Sequence, residues 1–199
     1  MKKSALVLSI MLFVSAGMFI ACGSDQGPAE QAIKAAEEAV NSTKAEAAKI
    51  VPDQVKSLES ALAAVKEKFA KKDYKAVITE APSLSGKAKE VLEAAKAKKE
   101  ELTKSWTDLS AGLPKMVEAI QSRVDILSKS KKLPANLTAE KFAEAKSGLA
   151  AAKEEWAKAL ESFKAGNVTD AVSVANSVKE KAAKTMETLG MPVPPGAKS

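Results

Sequence analysis

The feature of this sequence that most constrains its fold is a helical spacing of apolar residues that continues through most of the chain. The clearest stretch steps alternately three and four residues along Val55, Leu58, Leu62, Val65 and Phe69. This spacing places the apolar side chains on one face of an α-helix, as in the seam of a coiled coil. No long stretch has the period of two that is typical of a half-buried strand. The sequence therefore predicts an all-α fold.

Small side chains limit how thick the core of such a fold can be. Hydrophobic residues form 46% of the chain, but much of this share is alanine, and aromatic residues make up only 4%. Alanine buries little apolar area compared with Leu or Phe. We therefore expect antiparallel helical hairpins in an elongated helical bundle rather than a thick globular core.

Turn signals divide the predicted helical domain, residues 29–190. Lys71-Lys72-Asp73 and Ala165-Gly166-Asn167 interrupt the apolar pattern, and Asp73 and Asn167 are good residues for the start of a new helix. The pattern on either side of these turns predicts one hairpin over about residues 53–109 and a second over about residues 139–189.

Prolines mark two further positions in the domain. Pro82 predicts a kink or short break, because proline removes a hydrogen bond from a helix interior. Gly112 and Pro114 predict the end of one helix and the start of another, since proline fits a first turn. We therefore expect a separate bridging helix over about residues 114–130.

The two predicted hairpins share one pattern of apolar residues. A shift of 94 residues places residues 55–95 on residues 149–189 without a gap and aligns Asp73 with Asn167. Few aligned residues are identical, and an Ala/Lys-rich chain produces several identities by chance. The pattern is equally compatible with a duplicated hairpin and with convergence on one helical repeat.

The N-terminus has the organisation of a targeting segment. Lys2 and Lys3 precede an uncharged apolar run from Ala5 to Ala21, which is the order found in a secretory signal peptide. The run is also just long enough to span a bilayer, so an uncleaved anchor is the alternative. We predict a signal peptide over residues 1–21, with cleavage before residue 22.

The last residues of this run, Phe19-Ile20-Ala21-Cys22, resemble the lipobox of bacterial lipoproteins. Phe19 and Ile20 stand where Leu and a small residue are commonest, and Ala21 fits the pattern. The resemblance implies lipidation of Cys22 with diacylglycerol and often a third acyl chain, and two or more chains hold a protein stably on a membrane. In Gram-negative members Asp after the cysteine commonly causes inner-membrane retention, so Gly23 favours the outer membrane, facing the periplasm.

Polar and proline-rich segments flank the helical domain. Residues 22–28 combine glycine, proline and polar residues and are predicted to form a flexible tether. Residues 191–199 contain Pro192, Pro194 and Pro195 and are predicted to form a disordered tail.

The residue types present exclude several kinds of catalytic and metal site. The chain has no histidine and one cysteine, which excludes His-ligated haem, ordinary His-containing zinc sites and Ser-His-Asp or Cys-His nucleophiles. Ser128 and Lys131 fit the Ser-x-x-Lys motif of penicillin-binding proteins, but the companion Lys-Thr-Gly is absent. Paired carboxylates such as Glu154-Glu155 diverge on a helix and lie among lysines. We predict no catalytic, metal-binding or cofactor-binding residues and no cofactor.

Charge and aromatic residues bear on the choice of partner. The formal net charge is +6, and lysines are interspersed with glutamates throughout, so no clustered nucleic-acid patch is predicted. Trp156 lies on an apolar seam and is predicted to be core. Trp106 lies beside the weakening end of its apolar stripe and is predicted to contact a partner.

These observations predict a non-catalytic, membrane-anchored envelope lipoprotein. Its expected partners are the membrane, through lipid on Cys22, and an envelope protein or a second copy of the chain. The helical body would act as a spacer, adaptor or protein-binding module. The alternative is a helical-bundle carrier that holds an apolar or anionic envelope ligand in a cavity. An enzyme that uses Ser, Lys or carboxylates alone is a third and less favoured interpretation.

Overall fold

A computed structural model of the protein describes residues 25–197. Five α-helices account for most of this range: α1 (Gln26–Ala47), α2 (Pro52–Ala70), α3 (Tyr74–Lys129), α4 (Ala139–Lys164) and α5 (Val168–Thr188). No strand occurs among the described residues, which confirms the predicted all-α helical bundle. None of these five helices combines the length and the apolar character that crossing a bilayer requires.

The 56-residue helix α3 connects two three-helix bundles. A straight helix of this length extends about 84 Å, at 1.5 Å per residue. Helices α1 and α2 pack against residues 74–95 of α3 to form the N-terminal bundle. Helices α4 and α5 pack against residues 102–129 to form the C-terminal bundle. Residues 96–101, which we call the waist, are all exposed.

The direction of α1 fixes which end of the molecule the chain starts from. Thr43 Oγ1 donates a hydrogen bond to the carbonyl oxygen of Ala88 (3.4 Å), and one turn later Ala47 belongs to the same small core cluster as Ala95. Helix α1 therefore runs parallel to α3. Its first turn lies beside the turn between α2 and α3, at the end of the molecule opposite to Lys129.

The two hairpin turns have the same backbone geometry. The N–H groups of Lys71, Lys72 and Asp73 donate to the carbonyl oxygens of residues 67, 69 and 68, and those of residues 165–167 repeat this pattern on residues 161, 163 and 162. The central residue is left-handed in both turns, with φ of 63° at Lys72 and 76° at Gly166. The hairpins thus share their local structure, as both duplication and convergence on one helical repeat would produce.

The separate bridging helix predicted over about residues 114–130 does not exist. Helix α3 runs without a break through both Pro82 and Pro114. Proline in a helix interior costs about 3 kcal/mol, but Leu113 and Ile120 on either side of Pro114 are fully buried. Burial of each such side chain contributes about 1.5–3 kcal/mol. Because the apolar stripe stays in phase across the proline, packing outweighs the lost hydrogen bond.

Both predicted flexible ends are partly wrong. Helix α1 begins at Gln26, so the tether predicted over residues 22–28 is already helical at its last three residues. Residues 191–197 of the predicted disordered tail pack against the C-terminal bundle, where Ala197 is only 4% exposed. Apolar contacts of Met191 and Val193 with the core offset the entropy cost of ordering this segment.

Candidate functional site

Trp106 lies in the centre of an aromatic stack and does not face solvent. Its ring is sandwiched between Trp156 (centroids 5.5 Å apart, 17° between planes) and Phe163 (4.4 Å, 9°). Trp106 is 6% exposed, whereas Trp156 is only partly buried. The predicted partner contact at Trp106 is therefore wrong. The stripe of α3 does not weaken there, because Leu102 and Leu109 continue it against α4 and α5.

Phe163 is the member of the aromatic stack that reaches solvent. Its side chain is 38% exposed, at the last turn of α4 before the chain reverses. The sequence places Phe163 on the same seven-residue repeat as Trp156, which predicts burial. At the last turn of a helix, no further turn of a neighbouring helix covers a side chain on the apolar seam. The position of Phe163 just before the turn at residues 165–167 is therefore the sequence signal for its exposure.

The predicted lipidation residue Cys22 lies outside the described residues. Since α1 starts at Gln26, only residues 23–25 separate Cys22 from the first helix. The first turn of α1 lies beside the α2–α3 turn, so the described residues start at that end of the molecule.

The opposite end of α3 presents an exposed apolar and basic surface. Ile126 is 57% exposed, the highest value among the large hydrophobic side chains of the described residues. Lys129, Lys131 and Lys132 follow it and are all exposed. We call these four residues the distal tip. A single exposed isoleucine is common on protein surfaces and does not by itself indicate a binding site.

The bundles are also joined beside the waist. The Thr169 hydroxyl, at the start of α5, donates to the carbonyl oxygen of Lys49 in the α1–α2 loop (3.0 Å). The neighbouring Ile50 packs against the C-terminal core. The two bundles therefore meet at a second point besides α3, and this contact opposes bending at the waist.

The adjacent carboxylates of Glu154 and Glu155 form separate ion pairs. A hydrogen bond from Lys158 (2.7 Å), one turn along α4, lowers the pKa of Glu154. A hydrogen bond from Lys181 of α5 lowers the pKa of Glu155, and Ser177 donates a further one. The two carboxylates thus stabilise the helix surface and do not converge on a common site.

The Ser-x-x-Lys motif is not assembled into a site. Ser128 and Lys131 are both exposed, and α3 ends between them at Lys129. The two side chains are therefore not held together in the buried arrangement that a lysine-activated serine needs. Among residues 25–197, no group of three or more Asp, Glu, Cys or His side chains is placed to hold a metal ion.

Three cavities of the described residues lie between packed segments, and a further one of about 500 Å³ lies along α3 from Lys96 to Thr107. The α2–α3 seam has a cleft of about 500 Å³ lined by Leu58, Ala61 and Val91, among others. The α4–α5 seam has one of about 300 Å³ beside Gly148 and Thr185. A third, of about 280 Å³, lies between α3 and residues 194–197. All three open to solvent and none is an enclosed ligand chamber.

Comparison with known proteins gives no relative from which residue roles can be carried over. No family model, curated protein or solved structure matched the chain.

Proposed function

We propose that this protein is a lipid-anchored envelope spacer that carries a protein-binding adaptor surface, and that its helical body is not catalytic. The observation that carries the proposal is the position of the first helix. Helix α1 starts four residues after Cys22, at one end of a molecule whose longest helix has 56 residues. Acyl chains on Cys22 would hold that end at the membrane and leave the distal tip about 84 Å away along α3.

The spacer is favoured over the carrier because of where the open space lies. The clefts between packed segments and the one along α3 remain open to water, whereas a carrier surrounds most of its ligand in a preformed cavity. The proposed location is the cell envelope. If the host is Gram-negative, Gly23 after the cysteine favours the outer membrane facing the periplasm.

Acylation is tested by metabolic labelling with a palmitate analogue in the native host. The wild-type chain should be labelled and sediment with membranes, and the Cys22→Ser chain should show neither property. Equal labelling of the two chains would exclude Cys22 as the anchor.

The spacer geometry is tested separately with the acylated protein in vesicles that contain an energy acceptor in the outer leaflet. A donor is attached through a cysteine placed at Lys34, in α1, or at Lys131, at the distal tip; both positions are exposed. A molecule that stands on its anchored end quenches the donor at residue 34 strongly and the donor at residue 131 weakly. Equal quenching would mean that the protein lies along the membrane, and the spacer proposal would be wrong.

A further inference from the structure

The C-terminal segment, residues 191–197, folds back along helix α5. Gly190 reverses the chain with a φ of 67°, and the Met191 N–H donates to the carbonyl oxygen of Met186 (2.8 Å). Further along, Lys179 Nζ donates to the carbonyl oxygen of Gly196 (3.0 Å). The segment therefore returns from the end of α5 to a point more than two turns back along that helix.

The segment lies over an apolar groove between α3 and α5. We call this the tail groove and define it by Leu109, Leu113, Met116 and Lys179. Ala197 packs into it and is 4% exposed. The occupant does not fill the groove, because a cavity of about 280 Å³ remains between them. Gly112 also lines this cavity, and a Cβ added there would meet no atom within 4 Å.

The way in which the segment is held is that of a docked peptide. Pro192, Pro194 and Pro195 have no N–H groups, so the segment forms no ladder of backbone hydrogen bonds with a helix. A short turn, in which the Ala197 N–H donates to the carbonyl oxygen of Pro194 (3.1 Å), shapes its end. Proline restricts the backbone before binding, so a proline-containing segment loses less conformational entropy when a groove binds it.

We propose that the tail groove is a binding site for short proline-containing peptide segments of other proteins, and that the chain's own residues 191–197 occupy it as a displaceable intramolecular ligand. This proposal rests on the adaptor part of the proposed function and names its partner class. It does not depend on the lipid anchor. Failure of acylation and failure of peptide binding are therefore separate results.

Competition within the molecule sets the strength of binding that is expected. A ligand joined by a short connection has an effective concentration of the order of millimolar. The apparent affinity for a free peptide falls in proportion to the fraction of molecules in which the groove is open. A substitution that releases the segment should therefore tighten binding of a free peptide with the same sequence.

The test uses the full-length chain in detergent and a fluorescent peptide of residues 191–197, with measurement of fluorescence anisotropy. Ala197→Glu in the protein places a carboxylate where the native side chain is buried and releases the segment. We expect this variant to bind the wild-type peptide about tenfold or more tightly than the wild-type protein does. A peptide with the same Ala197→Glu change should not bind.

Two lysine variants in the Ala197→Glu background identify the groove. Lys179→Ala removes the donor to the peptide carbonyl and should weaken binding about tenfold. Lys184→Ala, on the same helix but outside the groove, should leave binding unchanged. A chain ending at Gly190 gives a second open form. Absence of peptide binding to both open forms, with helical circular dichroism retained, would overturn the proposal, as would equal loss from the two lysine variants. If only one open form folds, that form alone decides.

Discussion

The N-terminal and C-terminal bundles bury side chains at matching positions but fill them differently. The buried residues of α1 are spaced seven, four, three and four apart, namely Ala29, Ala36, Val40, Thr43 and Ala47. The same spacing recurs in the second part of α3 at Trp106, Leu113, Val117, Ile120 and Val124. Four of the five positions carry a larger side chain in the C-terminal bundle. One helical pattern therefore supports both a thin core and a thick one.

The N-terminal bundle also has polar contacts between its helices. Among the described residues, its three helices are joined by ion pairs of Lys44 with Glu59, Lys66 with Glu37 and Lys68 with Glu80. Thr43 is buried, and its one hydroxyl hydrogen is shared between the carbonyl oxygens of Ala39 in α1 (2.8 Å) and Ala88 in α3 (3.4 Å). Exposed ion pairs contribute little and are screened by salt. We infer that the C-terminal bundle is the more stable of the two, because buried apolar area dominates the difference.

The largest effect expected from this comparison is that of truncating Trp106. Its ring is sandwiched between two others, so Trp106→Ala should reduce the free energy of unfolding by about 3–5 kcal/mol. Trp156→Ala should cost less, about 1.5–3 kcal/mol, because that ring is only partly buried. Urea titrations followed by circular dichroism measure both losses. A larger loss for Trp156→Ala would restore the sequence-based assignment of Trp156 as core and Trp106 as partner-facing.

Two glycine substitutions should have effects of opposite sign in the two bundles. A Cβ at Gly148 would lie 2.6 Å from Thr185 Oγ1, which donates to the carbonyl oxygen of Lys181. Gly148→Ala should therefore separate α4 from α5 and cost about 1–3 kcal/mol. A Cβ at Gly86 meets nothing within 4 Å, so Gly86→Ala should stabilise α3 by about 0.5–1 kcal/mol. Thermal unfolding of both variants tests this, and two shifts of the same sign would contradict the close approach of α4 and α5.

The smallest expected effect concerns the ion pair between α4 and α5. The hydrogen bond from Lys181 lowers the folded-state pKa of Glu155 below its ordinary value of 4.5. The stabilisation is therefore complete above about pH 4.5 and is lost as the pH falls through the lowered pKa. The pair is partly exposed, so it contributes at most about 1 kcal/mol.

This pH dependence is measured as the difference in unfolding free energy between the wild type and Glu155→Gln. The difference should be constant near neutral pH and shrink in acid. The same substitution in a Lys181→Ala background should give a shallower profile, because the largest cause of the lowered pKa is removed and the hydrogen bond from Ser177 remains. A difference that grows as the pH falls would reverse the sign of the proposed interaction.

Most of the helices and both hairpin turns follow from local patterns in the sequence. The remaining features of the fold depend on packing between segments that are distant in sequence. The turns at Asp73 and Asn167 depend on a few neighbouring residues, and these predictions agree with the structure. The continuity of α3 through Pro114 depends on burial of Leu113 and Ile120 against other helices, which no local rule contains. Burial of Trp106 likewise depends on α4, and the position of residues 191–197 depends on a groove that exists only after α3 and α5 have packed. The lipidation of Cys22 stays a prediction from its local motif.

The central claim is that one continuous helix runs through both of the unequal bundles. Spin labels at Lys75→Cys and Lys129→Cys, in a Cys22→Ser background, place probes near the two ends of α3 for double electron–electron resonance. A straight α3 predicts one main distance of about 81 Å, and a control pair at Lys75 and Lys96 predicts about 32 Å. A right-angle bend at the waist would shorten the long distance to about 58 Å and leave the control unchanged. A single long distance near the first value supports the account, and a main distance near the second would contradict it.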